Sequence, residues 1–516
     1  FTGMGGKMNI LTLPNEGRGS FRVEYQGIPI DRMIVDFMEK ESIPGMTLAI
    51  VQAPYIPRIV GYGVSNAQTG QLASAKTIWP AAQISQAFSA VAVLPFFERG
   101  SIKLEYPVSQ WLDSLPQAWR AITVFELLQH ASGIADYRDS AGFDAQKAYE
   151  PAELVKMVAK TPLAFEPGTD VKLSATNFLL LAQIVEKAAG QSYHDFVTEN
   201  QIRYLGLRRT MFREDFPKLD NEKITLENPR HSLFTKEGRF IDPAEPAAGT
   251  RLIPDGLVAT SPFLSGTLKG FADIWASAED ISTWDIALAG SILIEKPENR
   301  ALIYKPTVLA SGKVVPAMAG WQFQHHRGLM DIKGTVPGYS AFLSRFTDPN
   351  ELVCVTLMCN REGVDLSNLA RRIASAFGKK LASGVDDELF YTQESVFDVA
   401  ESVLRLRGAL KKMGIPVFAT FDHGKNAEEA GMSMAPAVVT VFGSPSVGTK
   451  LMQANPAICL ELPLKIAVWE DAEGSVWVTA PRLDLVAGRY QMQSHPIIPD
   501  MQKLLEKLVG IAANLY

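Results

Sequence analysis

Residues 28–378 carry strand-like runs near both ends and helical periodicity between them, and this order constrains the fold more than any other feature of the chain. Ile30, Met33, Ile34, Phe37 and Met38 recur at helical spacing until Ile43-Pro44-Gly45 stops them. Apolar runs at 46–51 and 57–64 follow, and the polar stretch 65–70 reads as a turn. From about 91 to 290 helical signals dominate, at 122–130, 152–159, 177–187 and 271–282. Strand signals return at 320–324, 340–344 and 352–358, before a helix at 365–377. Distant segments must therefore meet in one sheet flanked by helices, with a helical subdomain between them, which is an α/β arrangement.

Run 379–388 reads as a linker, and the pattern then restarts. An amphipathic helix at 396–413, strands at 415–421, 437–442 and 465–469, and a hairpin through Asp471 to Gly474 into 476–479 predict a small α+β domain over 389–516. Leu504, Leu505, Leu508 and Ile511 give the last helix its apolar face. Residues 1–27 form an N-terminal extension whose first eight residues, Gly-rich and without an apolar signal core, read as a tag remnant. With no signal peptide in view, a cytoplasmic location is expected over a periplasmic one, unless the chain start has been trimmed.

Composition removes several function classes. A formal net charge of -6 supplies no basic stripe for a phosphate backbone, so no nucleic acid partner is expected. The longest apolar runs, 90–97 and 178–185, are too short to span a bilayer. Cys354, Cys359 and Cys459 form neither a disulfide framework nor a metal spacing, and the first two fit a strand core. His325 and His326 are adjacent on a predicted strand, face opposite sides and make a poor metal pair. No metal and no cofactor is expected.

Five motifs in order carry a resemblance over residues 28–380. Ile43-Pro-Gly-Met-Thr-Leu-Ala-Ile-Val51, Gly61-Tyr-Gly-Val-Ser-Asn-Ala67, Leu127-Leu-Gln-His-Ala-Ser-Gly-Ile134, Phe165-Glu-Pro-Gly-Thr169 and Val336-Pro-Gly-Tyr-Ser340 together resemble the beta-lactamase/penicillin-binding-protein-like serine hydrolase family. The resemblance implies an antiparallel sheet flanked by helices. It also implies three chemical elements, and this chain departs from each.

Where the family has Ser-x-x-Lys the chain reads Gln83-Ile84-Ser85-Gln86, and an amide is neither nucleophile nor proton carrier near neutral pH. The family's Tyr-x-Asn falls on Leu173-Ser174-Ala175. Its Lys-or-His-x-Gly strand falls on Ile332-Lys333-Gly334, with Lys333 one residue out of register and hence on the opposite face. Gln83, Gln86, Leu173, Ala175 and Ile332 thus mark vestigial active-site positions, and Ser85, Ser174, Lys333, Gly334 and Thr335 are candidates for the cleft lining. No catalytic residue is nominated, and His130 reads as a hydrogen-bonded structural residue.

Phe421-Asp-His-Gly-Lys-Asn-Ala427, Val441-Phe-Gly-Ser-Pro-Ser-Val-Gly-Thr-Lys-Leu-Met452 and Leu462-Pro-Leu-Lys-Ile-Ala-Val-Trp-Glu-Asp471 resemble the bacterial domain-of-unknown-function family 302. That resemblance implies a small α+β domain with no established activity, in which Asp422 and His423 are the polar pair to test. The resulting expectation is a catalytically inactive two-domain protein that binds a small molecule or peptide through the vestigial cleft. Two alternatives stay open: a serine hydrolase with relocated groups, using Ser85 or Ser174 with Lys333, and a scaffold that assembles as a homo-oligomer.

Overall fold

The computed structural model describes residues 14–15, 17–19, 24–25, 27–52, 55–218, 235–236, 239–240, 246–304, 307–309, 314–315, 317–318, 321–323, 330–348, 351–377, 390–472 and 474–515. His325, His326, the run 379–388 and residues 1–8 lie outside them. Two compact units form, Phe1–Trp321 with Met330–Gly378 and Gln322–Leu329 with Lys379–Tyr516.

In the first unit, helix α1 (Ile30–Glu41) buries Ile30, Ile34, Val35 and Met38 and ends at Ser42 in the left-handed conformation. Strands β1 (Gly45–Gln52) and β2 (Tyr55–Asn66) follow. Helix α2 (Ser85–Glu98) is apolar on every side and buried over almost its whole length. Beyond it come α3 (Ala175–Ala189) and α4 (Ala278–Ala289), then β3 (Met330–Val336), β4 (Tyr339–Asp348), β5 (Glu351–Cys359) and α5 (Ser367–Ser375).

The sheet runs in the order β2-β1-β5-β4-β3, and each of these neighbours is antiparallel. Early and late segments therefore lie side by side, as the two groups of strand signals require. On β5 both Cys354 and Cys359 are buried, as core thiols. By the two-residue period, Gly334, Ala341 and Arg345 share one face of the sheet and Lys333 looks out of the other. Helix α4 covers the first face, where Arg345 forms a buried ion pair with Asp285.

The helix expected over 271–282 is instead two elements. Ile274–Ala276 is a strand between Trp79–Pro80 and Thr210–Phe212, and α4 begins only after it. Ser277 sets that boundary, because its hydroxyl accepts from the Asp280 N–H as an N-cap. Local helical spacing lost to strand pairing with two distant segments.

The second unit has one five-stranded antiparallel sheet, Phe390–Glu394, Val476–Pro481, Leu464–Glu470, Ala437–Phe442 and Val417–Asp422 in spatial order. Helices Val399–Lys412 and Ile497–Ala513 pack over it, and Leu505 and Leu508 lie in its core. Asp471 organises the hairpin, accepting from the Ser475 N–H and from Trp477 Nε1. No helix among the described residues is long and apolar enough to cross a membrane.

Candidate functional site

The turn before α2 sits between two strands. On one side the Ala81 N–H donates to the Ile274 carbonyl and the Ile274 N–H donates to Ser85 Oγ at 3.0 Å. On the other side lies β3. Ala82, the residue before Gln83, has φ 49°, a left-handed conformation that costs a residue with a Cβ on the order of 1 kcal/mol. The residue that follows this strained turn is an amide, Gln83.

Gln83 is 5% exposed and Nε2 donates to the Thr335 carbonyl at 3.0 Å. Its Oε1 has no partner and lies against Gly334: a Cβ at position 334 would come within 1.7 Å of that oxygen and 2.5 Å of the Gln83 nitrogen. Only glycine allows β3 to approach the turn this closely. The first and third elements are thus in direct contact, through a glutamine and a glycine.

Gln86 faces His130, with Oε1 and Nε2 2.5 Å apart and both residues fully buried. The roles follow from the opposite ring nitrogen. His130 Nδ1 receives the Ser174 N–H at 3.2 Å and Asn177 Nδ2 at 3.0 Å. A backbone N–H can only donate, so Nδ1 is the acceptor, Nε2 carries the proton, and Gln86 presents its carbonyl oxygen. Burial pushes the imidazole down to about 3, with Asp136 opposing and Arg138 assisting. His130 is a neutral bridge between the first and second elements.

The bridge extends further. Ser132 Oγ donates to Asn177 Oδ1 and accepts from the Ile134 N–H. Asp136 Oδ2 accepts from the Ala175 N–H, one of the free donors at the start of α3, at 3.0 Å. Burial works to raise the Asp136 carboxyl, but its hydrogen bonds to Arg138 and to Ala175 hold it below the usual range.

Other sequence candidates separate. Ile332 and Ala175 are buried, Leu173 and Gly334 are half-buried, and Thr335 is exposed. Ser174 is the N-cap residue of α3, yet its hydroxyl is buried without a partner. Lys333 faces Asp365 at 3.8 Å, on the side of the sheet away from Gln83. Thr335 Oγ1 donates to the Tyr339 carbonyl and accepts from the Gly363 N–H. No hydrogen bond joins Ser85 or Ser174 to Lys333 among the described residues. In the second unit Asp422 caps a short helix, accepting from the Lys425 N–H, and His423 is exposed as the first residue of that helix.

Sequence reasoning missed Asn177 and Asp136, whose partners lie 47 and 39 residues away. The signal that could have found Asn177 is a polar residue directly before the apolar run 178–182, at the buried start of helix Ala175–Ala189.

Over residues 30–377 the chain matches the family described as Beta-lactamase, and over 391–515 the one described as Domain of unknown function DUF302. Penicillin-binding protein 4* of Bacillus subtilis is 27% identical over 281 residues, 53% of this chain and 58% of that protein. Fluoride-specific ion channel FluC 1 of Brucella suis is 40% identical over 112 residues, 22% of this chain and 44% of that protein. The chain spans about half the length of these curated relatives. D-amino acid amidase from Ochrobactrum anthropi aligns with a TM-score of 0.54 at 18% identity, covering 68% of this chain and 98% of that one. The octameric penicillin-binding protein homologue from Pyrococcus abyssi aligns with a TM-score of 0.55 at 16% identity, covering 87% and 99%. At these identities the two structures establish a common fold.

Proposed function

Given that this chain belongs to the beta-lactamase family, we propose that it is a member without hydrolytic activity, which binds a ligand or partner in place of turning one over. The observation that carries this reading is the pair of buried glutamines at the nucleophile and base positions, Gln83 tied to the Thr335 carbonyl and Gln86 to His130. Neither amide attacks a carbonyl, and neither exchanges a proton near neutral pH. His130 is a poor substitute base, because its lone-pair nitrogen Nδ1 already accepts from the Ser174 N–H and Asn177 Nδ2 and burial disfavours taking up a proton. Loss of the nucleophile alone removes on the order of a million-fold of rate in a serine hydrolase. Of the candidate positions at the old centre, Leu173 and Gly334 are half-buried and Thr335 is exposed, and these are where we place access for a ligand or partner.

Intact-mass measurement after incubation with benzylpenicillin, and separately with a fluorophosphonate, tests the reading. No covalent adduct is expected. Stoichiometric labelling at Ser85 or Ser174 would overturn it and restore the relocated hydrolase.

A further inference from the structure

A second feature of the first unit lies outside the vestigial centre. A cavity of about 490 Å³ is walled by Trp275, Phe216, Tyr339, Leu257 and Val258, with Arg213 as the only charged side chain among its described lining. None of Gln83, Gln86, Leu173, Ala175 or Ile332 lines it. This volume suits a small organic molecule, and a mostly apolar wall with a few polar groups is the usual build of such a site.

The aromatic wall is fixed by its own packing. Trp275 meets Phe216 edge-on at 5.0 Å and Tyr339 at 5.5 Å, and stacks on Phe263 at 5.8 Å. Tyr339 is anchored by its hydroxyl, which donates to the Ala247 carbonyl at 2.6 Å. Arg213 is anchored too, with Nη1 donating to the Phe263 carbonyl at 2.5 Å. No carboxylate pairs with it among the described residues, and the acidic neighbours Glu214 and Asp215 both face His194 instead. The Trp275 indole N–H is buried in the same wall without a partner. A positioned guanidinium with spare donors beside rigid rings matches a carboxylate on an apolar body.

We propose that this cavity binds a small aromatic or apolar carboxylate, with Arg213 holding the carboxylate and the rings of Trp275, Phe216 and Tyr339 enclosing the body. The site is independent of hydrolysis, so an adduct at a serine would leave this proposal untouched.

The probes are 3-phenylpropionate and N-acetyltryptophan, each against its neutral primary amide, in calorimetric titrations of the full chain. Each acid is expected to bind at least tenfold more tightly than its amide. Arg213→Gln should erase that preference and leave amide binding unchanged. Ala248→Trp, at a half-buried position in the lining, should block acid and amide alike while the unfolding midpoint stays close to wild type. Equal affinity for acid and amide, or no binding of either acid at about 10 mM, overturns the proposal on the wild-type protein alone. Retention of the acid preference in Arg213→Gln overturns the role of that residue and with it the assignment.

Discussion

Acid is the perturbation that separates a structural His130 from a titrating base. Protonation would place a hydrogen on Nδ1, which already receives the Ser174 N–H and Asn177 Nδ2, in a ring that is fully buried. Burial therefore holds the folded-state value near 3, against an ordinary value of 6.5. With the folded value depressed, the unfolded chain takes up the proton first as pH falls. The contribution is complete above pH 6.5 and is lost progressively toward pH 3. At pH 5 the unfolded His130 is 1.5 units below its own value, which corresponds to about 2 kcal/mol. Urea unfolding at pH 7.5 and pH 5.0, for wild type and His130→Gln, isolates this term because the other ionisable groups are shared. Wild type should lose about 2 kcal/mol more than the variant. Long-range ¹H–¹⁵N spectra of wild type should meanwhile show the neutral Nε2–H form unchanged from pH 8 to pH 5, a readout that survives even if the variant folds poorly. Equal pH slopes for the two proteins, or a ring that titrates near pH 6.5, would refute the reasoning.

Gly334→Ala puts a Cβ 2.5 Å from the Gln83 nitrogen, so it should destabilise the first unit by about 1–3 kcal/mol in urea unfolding; a change below about 0.5 kcal/mol would mean the turn and β3 do not touch as described. Asp273 has the opposite pH sign to His130. Burial pushes its carboxyl up to about 7 against the Gly270 N–H, so its contribution is present below the unfolded value and lost as pH rises through 7. Between pH 5 and pH 8 wild type should lose up to about 3 kcal/mol that Asp273→Asn does not, and parallel stability profiles for the two proteins would contradict this.

That early and late strand runs share one sheet was readable, because alternation and helical period are local properties that locate the strands and the helices between them; the antiparallel sheet came with the family resemblance, and the strand order came from the structure. Lys333 stands one residue from the family's position, and it does face away from Gln83, toward Asp365. What local pattern could not supply was long-range partnership. The segment 274–276 looks helical in isolation and becomes a strand because Met211 and Pro80 both pair with Trp275. Arg213 and Trp275, 62 positions apart, meet in one cavity wall that no motif announces.

The same distinction separates the packing role of a motif from any chemical one. In Leu127-Leu-Gln-His-Ala-Ser-Gly133 most residues have a mechanical task. Leu127 and Leu128 are fully buried, and Ser132 holds Asn177. Gly133 has φ 78° at a point where a Cβ would come within 2.5 Å of the Phe165 carbonyl oxygen. His130 adopts φ 57° and aims its ring at the start of α3. Replacing any of these leaves a cavity, a clash or an unpaired buried donor, each a recognised route to losses of 1 kcal/mol or more, roughly. A nucleophilic serine and its lysine perform no comparable task. Gln83 and Gln86 each bond through one end of the amide, to the Thr335 carbonyl and to His130, while Gln83 Oε1 and Gln86 Nε2 are buried without a partner. Gln86 and His130 are therefore best understood as one unit, since the amide supplies the acceptor that the Nε2–H of a neutral, buried imidazole requires.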